Sequence, residues 1–395
     1  MTVRAPVPTI FGDRVGIRRL PCETVRVDVA RMVHASALVL LSATAGCQET
    51  DFEPEFGRIV SAGDHVEIWA SPGVEVCGGN VAYLDAFVEG LRERVGPHPE
   101  AEDSRRYYVL NEGDWRAFDD AVDCRGCACT TEHRTVYSRF GLPSAHEMVH
   151  AELFSGGHRF LEEGIAVALG GPLFENTPED YDVEEGLSEA WTVGEAYPRA
   201  GHFTRFLIDR HGIERFLAFK DASLHDPSYD RLSHISVETL GESLDELVAI
   251  YEREDADCRQ PGYQEHLVEC DGLLTPWSPT DYSFATEIEF ETDFACEDGH
   301  VLGPVFDQIY VTRRFEVERP GSLYAYVDGG AVTIAQCDGS CDADEFGRKR
   351  DALFQVSPRT TLEESIRPGR YTMRIWKPLA VGRAPVRVHL TLFAF

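Results

Sequence analysis

The spacing of apolar residues predicts a mixture of strands and helices in the first half of the chain. Residues 65–70 alternate between apolar and polar, which is typical of a half-buried strand. Between residues 79 and 95, apolar side chains recur at helical spacing, which predicts an amphipathic helix. Residues 105–110 and 134–137 read as two further strands, with a cysteine-rich loop between them, and residues 236–251 as a later amphipathic helix.

The pattern changes in the last third of the chain. From about residue 255 to 280 there is little periodicity, which indicates a linker. Beyond it, short alternating stretches are separated by Gly, Pro and Asp, which predicts an antiparallel sandwich. The predicted strands are 306–317, 322–327, 331–335, 352–356, 371–376 and 386–393.

Composition narrows the possible partners. The chain has 395 residues, enough for two domains, and 43% of them are hydrophobic, so a substantial core can form. Its net charge is −31, and its only lysines are Lys220, Lys349 and Lys377. A surface with so few cations cannot neutralise a row of phosphates, so we expect no nucleic-acid partner.

An apolar run near the start predicts export. Residues 33–46 are apolar, end in small residues and follow Arg26 and Arg31, as in a signal peptide too short to span a bilayer. The sequence Thr44-Ala45-Gly46-Cys47 resembles a bacterial lipobox, which implies lipidation of Cys47 and a membrane-anchored lipoprotein of the cell envelope. A plain secretory signal is the alternative.

The chain contains eleven cysteines, of which Cys22 and Cys47 would be lost or lipidated. The other nine are read as disulfides in an exported protein, with one left over unless Cys47 is also available. Cys258 with Cys270 and Cys337 with Cys341 are the nearest local pairs, although spacing cannot fix the connectivity. The run from Cys124 to Cys129 lacks a second cluster at finger spacing, which favours disulfides over a metal site there.

The candidate chemistry lies in the stretch His146-Glu147-Met148-Val149-His150, an H-E-x-x-H motif. On a helix, positions i and i+4 share a face, so both imidazoles can be directed at one zinc ion. Glu147 can then reach a metal-bound water and take its proton. The alternative is that Glu147 is the last residue of a capping box with Ser144 and bonds only to the backbone.

Glu163 follows in the phrase Phe160-Leu161-Glu162-Glu163-Gly164-Ile165-Ala166. Two helices joined by a short turn could bring this carboxylate to the zinc, which would complete a His2Glu site. The phrase resembles the "WLxEGxA" phrase of gluzincin metallopeptidases, in which the glutamate before glycine is the third ligand. The resemblance implies that Glu163 is a ligand, that Glu162 is not, and that the relatives are compact bacterial gluzincin-like proteins.

Three further features are interpreted through this resemblance. The segment from Tyr197 to Gly212 resembles the helix after the third ligand, which makes Tyr197 the candidate donor to the oxyanion. His202 is an alternative donor, but we interpret it as a partly exposed helix residue. One strand borders the zinc helix in such proteins, and residues 134–139 are the candidate for that edge. "IRPGRYTMRIW" resembles a strand of prepeptidase-type accessory sandwiches.

The predicted fold class is α+β. A zincin-like metallopeptidase domain, with a small sheet, the active-site helix and a helical lower part, precedes an all-β antiparallel sandwich. The predicted divisions are a signal and lipobox region at 1–47, a tether at 48–64, the metallopeptidase domain at 65–255, a linker at 256–280 and the sandwich at 281–395.

The predicted function is hydrolysis of peptide bonds in a peptide or protein substrate by a zinc-activated water, with Glu147 as general base. Two other classes remain open. One is a catalytically inactive, zinc-binding surface lipoprotein whose sandwich mediates binding, although such a protein has no need of a base at Glu147. The other is a structural or adhesive lipoprotein that holds no metal, and metal analysis would separate it from the first two.

Overall fold

The computed structural model describes much of the chain from residue 57 onward. The described residues are 57–96, 104–122, 128–131, 134–139, 141, 143–153, 157–171, 182–188, 197–223, 228–254, 268–280, 284–337, 353–359 and 361–394. The predicted signal region, Cys47 and most of the expected tether lie outside them. No helix among these residues is long and apolar enough to cross a membrane.

The first sheet is mixed. Its strands are β1 (Arg58–Ala62), β2 (Val66–Ala70), β3 (Arg105–Val109), β4 (Ala128–Thr130) and β5 (Val136–Ser138). They lie in the order β1-β2-β3-β5-β4, with β2, β3 and β5 parallel and the two outer strands antiparallel to their neighbours. The strands predicted at 65–70, 105–110 and 134–137 are therefore present. Residues 58–62, expected in the tether, form an edge strand instead.

Helices make up the rest of this part of the chain. They are α1 (Asn80–Val95), α2 (Glu112–Val122), α3 (Ala145–Leu153), α4 (Arg159–Gly170), α5 (Val183–Leu187), α6 (Tyr197–His211), α7 (Ile213–Ala222), α8 (Tyr229–Thr239) and α9 (Leu244–Glu254). The single helix predicted at 236–251 is wrong, because α8 ends before Gly241. That glycine has a φ of 86°, which a side chain rarely tolerates.

The helices share one hydrophobic core with the first sheet. Helix α1 contributes Leu84, Phe87, Val88 and Leu91, at the spacing that places side chains on one face. Helix α6 approaches α4 closely at Gly164, where a Cβ atom would stand 2.8 Å from the carbonyl oxygen of Ala200. The glycine of the "EEG" phrase is therefore required by helix packing.

The last part of the chain is a β-sandwich. Its strands are β6 (Ser278–Pro279), β7 (Ala285–Phe294), β8 (Leu302–Val305), β9 (Gln308–Val317), β10 (Gly321–Asp328), β11 (Ala331–Gln336), β12 (Leu353–Val356), β13 (Thr361–Ile366), β14 (Gly369–Pro378) and β15 (Ala384–Ala394). One sheet has the order β13-β10-β15-β7-β6 and the other β12-β11-β14-β9-β8. All pairs within both sheets are antiparallel.

The predicted α+β class with a sandwich is confirmed, and the sandwich strands lie where alternation predicted them. The prediction missed β6, β7, β8 and β13. Of these, β7 pairs with β15 along its whole length. Part of the expected linker also belongs to the sandwich, because β6 pairs with β7.

The disulfides join distant segments. Cys77 is bonded to Cys296, and Cys270 to Cys337. Pairing of Cys270 with Cys258, or of Cys337 with Cys341, is therefore wrong. The first disulfide connects the segment before α1 to the end of β7, so the sandwich is covalently attached to the helical part at two points along the chain.

Hydrogen bonds reinforce this attachment. The buried side chain of Asn80 donates to the carbonyl oxygen of Gly303 at 2.5 Å and accepts from the amide of Gly303 at 3.0 Å. Gly141, which precedes α3, forms an isolated antiparallel bridge with Val305. The hairpin of β8 and β9 thus contacts the segment that leads into the H-E-x-x-H helix.

Candidate metal centre

Two elements bring three potential ligands together. His146 and His150 lie one turn apart on α3, and Glu163 extends from α4. The Oε2 atom of Glu163 is 3.3 Å from Nε2 of His146 and 3.1 Å from Nε2 of His150. One ligand atom from each residue lies within 4.8 Å of the others, so this cluster could hold a metal ion.

The donor set fits zinc. Two imidazole nitrogens and one carboxylate oxygen form the His2Glu set that leaves a fourth position open for water or substrate. Both histidines are buried, so their orientation is fixed by packing. Nδ1 of His146 has no hydrogen-bond partner in the described part of the chain, so only its Nε2 faces a polar group.

Adjacent glutamates on α4 have different environments. The Oε1 atom of Glu162 accepts from Nζ of Lys220 at 3.1 Å and from the amide of Gly157 at 3.2 Å. Lys220 is itself 1% exposed. Glu162 therefore belongs to a buried ion pair on another side of α4, and Glu163 alone joins the two histidines.

The cluster attracts positive charge. Burial by itself would lower the pKa of His150, but the neighbouring Glu163 carboxylate outweighs burial and raises that pKa to about 9. Burial would raise the pKa of Glu163, yet the histidines hold it well below its ordinary value. A cation bound here must therefore displace a proton, as is usual when imidazole is a metal ligand.

Glu147 is held at the side of the cluster by β4. The hydroxyl oxygen of Thr130 lies 3.0 Å from Oε2 of Glu147 and 3.1 Å from its backbone oxygen. Only half of the capping box forms, because the Glu147 amide donates to Oγ of Ser144 at 3.4 Å while the Glu147 carboxylate interacts with Thr130. The carboxylate charge also reaches His150 and Tyr197.

Tyr197, the first residue of α6, borders the same space. Its ring centroid lies 5.8 Å from that of His146. Burial, together with the charge of Glu163, raises the pKa of its hydroxyl, and Arg159 opposes this rise. The hydroxyl therefore stays protonated at neutral pH and remains able to donate a hydrogen bond.

Two expectations around the site are wrong. His202 is buried rather than partly exposed, and its Nδ1 lies 2.6 Å from the hydroxyl of Tyr251. The edge strand next to α3 is β4 and not residues 134–139, because β5 is covered by β3 on one side and β4 on the other. The cause is that residues 128–130, the described end of the cysteine-rich segment, pair antiparallel with β5 and include Thr130.

Sequence reasoning missed two residues at the site. Thr130 lies within the cysteine-rich segment, and no local motif indicates that it contacts Glu147. Arg159 could have been found, because it stands four positions before Glu163 and so shares its face of α4.

No family model matches the chain, and neither does any curated protein. Among solved structures, the PliG periplasmic inhibitor of g-type lysozyme from Aeromonas hydrophila is 7% identical over 31% of this chain and 96% of its own, with a TM-score of 0.21. A pre-peptidase C-terminal domain of Bacillus anthracis collagenase is 10% identical over 30% of this chain and 92% of its own, with a TM-score of 0.19. Legionella pneumophila aminopeptidase A is 11% identical over 78% of this chain and 33% of its own, with a TM-score of 0.29. These similarities are too weak to assign a function.

Proposed function

We propose that the chain is an exported, zinc-dependent peptidase of the gluzincin type, with a zincin-like domain that holds zinc on His146, His150 and Glu163. The observation that carries the proposal is the convergence of these three side chains beside Glu147. The proposal gives a separate role to each polar residue of the H-E-x-x-H and "EEG" phrases.

Each side chain has a task in peptide hydrolysis. Bound zinc would polarise the scissile carbonyl and acidify a water molecule. Glu147, held by Thr130, takes the proton of the attacking water and transfers it to the leaving amine. Tyr197 donates to the oxygen on which negative charge develops, because its hydroxyl is protonated at neutral pH and its ring lies beside His146.

The substrate would lie along β4. Among the described strands, β4 is one of the two edges of the first sheet, and Thr130 at its end contacts the proposed base. An extended peptide can add to such an edge through backbone hydrogen bonds, which would present successive peptide groups to the cluster.

The test is the variant Glu147→Gln. Glu147 is not one of the three proposed ligands, so the variant should keep about one zinc per chain while losing activity by roughly 10²–10⁴-fold. Casein or a mixed peptide library would serve as substrate, with products identified by mass spectrometry. Glu112→Gln, which changes an exposed carboxylate on α2, is the matched control and should retain full activity.

Two outcomes would contradict the proposal. Equal cleavage by the wild type and Glu147→Gln would show that Glu147 is not the base. Absence of cleavage by a wild-type protein that holds zinc would favour the inactive zinc-binding protein. Absence of zinc from the wild type would rule out both the peptidase and the inactive zinc-binding protein.

Attachment to the membrane through Cys47 is a separate part of the proposal. The two disulfides are compatible with a location outside the cytoplasm. A lipidated protein should partition into a detergent phase, and Cys47→Ser should release it into the aqueous phase. Equal partitioning of the two proteins would overturn the anchor but not export.

A further inference from the structure

Arg159 is an exposed cation next to the candidate metal centre. It is the first residue of α4 and lies four positions before Glu163, so both residues are on one face of the helix. Its guanidinium interacts with the hydroxyl of Tyr197, whose ring borders His146. The guanidinium therefore stands at the rim of the space enclosed by the metal ligands and Tyr197.

Arg159 differs from several other arginines in its charge partners. Within the described ranges no carboxylate lies within ion-pair distance of it, and Glu163 contacts the two histidines instead. Other arginines behave differently: Arg92 and Arg105 share Glu152, and Arg210 binds Glu242. The Arg159 guanidinium is therefore not occupied by any carboxylate of the described residues.

A guanidinium at this position suits a negatively charged group of the substrate. Arginine binds carboxylates through two parallel hydrogen bonds, which adds geometric specificity to the attraction. The net charge of −31 repels anionic peptides at long range, so a local cation is needed if such a peptide is to bind.

We propose that Arg159, positioned beside the Tyr197 hydroxyl, forms a subsite that recognises a carboxylate of the peptide bound at the metal centre. This inference rests on the proposed peptidase function and adds the chemical class of its substrate. The carboxylate comes either from the C-terminus of the peptide or from an acidic side chain near the scissile bond.

A binding experiment tests the subsite independently of turnover. Four fluorescent peptides of equal length would combine a free or amidated C-terminus with one central Glu or Gln. Their binding to the full chain carrying Glu147→Gln would be measured by fluorescence anisotropy. We expect a peptide with the recognised carboxylate to bind about tenfold more tightly than its neutral counterpart. A difference between free and amidated C-termini would identify the C-terminal carboxylate, and a difference between Glu and Gln would identify the side chain.

The decisive variant is Arg159→Met in the same background. It should abolish the difference between charged and neutral peptides, whereas Arg159→Lys should retain part of it. Arg387→Met removes one exposed positive charge from β15 of the sandwich and should preserve the full difference. Peptide discrimination that persists in Arg159→Met, or is missing from the parent protein, would overturn the inference.

Turnover of the same peptides separates this inference from the proposed function. If the protein with an intact Glu147 cleaves none of them but Arg159 still controls binding, the subsite is supported and the peptidase is not. If all four peptides are cleaved equally with and without Arg159, the peptidase is supported and the subsite is wrong.

Discussion

The hydroxyl oxygen of Thr130 lies 3.0 Å from the carboxylate of Glu147 and 3.1 Å from the backbone oxygen of the same residue. One side chain of the edge strand β4 therefore contacts both the proposed base and the helix that carries it. Because Thr130 does not touch the ligand atoms, it would act by positioning Glu147 and not through the metal.

We expect Thr130→Val to lower kcat by roughly tenfold, because the carboxylate loses a hydrogen bond that fixes its direction. KM and zinc content should stay unchanged, and Thr130→Ser should restore kcat. Steady-state kinetics and metal analysis on the same preparations would check this. A variant with normal kcat, or one that loses zinc, would show that Thr130 does not position the base.

Periodicity and two short phrases were enough to predict α3, α4 and most strands. His146 and His150 are four residues apart on a helix, so their common face follows from local geometry. The contact of Glu163 with both histidines also agrees with its position in the "EEG" phrase. Contacts from distant segments could not be predicted, because nothing local to Thr130 or Cys77 specifies its partner.

The errors have similar causes. Strand β7 alternates between apolar and acidic residues, with the acidic side chains facing outward. This is a local pattern that could have been recognised from the sequence. Residues 58–62 form a strand because they pair with β2, which their local sequence does not indicate. The disulfide between Cys270 and Cys337 likewise depends on contacts between segments that are distant in the sequence. His202 was interpreted from α6 alone, whereas Tyr251 on α9 accounts for its burial.

The adjacent residues Glu162 and Glu163 should respond to mutation in opposite ways. Glu163→Gln removes a proposed ligand, so we expect zinc content to fall well below one equivalent. Glu162→Gln should keep zinc but lower the free energy of unfolding by roughly 2–4 kcal/mol, because it weakens a buried ion pair with Lys220. Metal analysis and denaturant unfolding of the two variants would distinguish them, and the reverse pattern would show that the ligand is Glu162.

His158 should make stability depend on pH. Burial lowers its pKa from the ordinary value of 6.5, although a hydrogen bond with the backbone of Leu187 opposes this. Its Nδ1 accepts from the amide of Phe160, which a protonated nitrogen cannot do. The unfolded chain then binds the proton more readily, so this contribution to stability is present above about pH 6.5 and is lost as the pH falls below it.

The variant His158→Asn keeps an acceptor for the Phe160 amide but cannot titrate. We expect its free energy of unfolding to fall less between pH 7 and 5 than that of the wild type. One proton changes this slope by at most about 1.4 kcal/mol per pH unit. Denaturant unfolding of the metal-free proteins would measure it. Parallel pH profiles for the two proteins would show that His158 is not responsible.

Asn80 tests whether the sandwich and the helical part unfold as one unit. The side chain is fully buried and satisfies both polar groups of the Gly303 backbone. In the disulfide between Cys77 and Cys296, Cys77 is close in sequence to Asn80 and Cys296 is close in sequence to Gly303. We expect the wild type to show coincident transitions by far-ultraviolet circular dichroism and tryptophan fluorescence, as a cooperative unit does.

Asn80→Ala leaves the amide of Gly303 without its partner, whereas the Gly303 carbonyl still accepts from the amide of Cys77. One unsatisfied buried group costs about 1–3 kcal/mol. The variant should therefore lose roughly 1–3 kcal/mol of unfolding free energy while the disulfide keeps the two parts together. Combining it with Cys77→Ser and Cys296→Ser should separate the transitions of the helices and the sandwich, because the disulfide and the buried side-chain bonds of Asn80 are both removed. A single transition in the triple variant would mean that the remaining contacts, including the bridge between Gly141 and Val305, are sufficient to couple them.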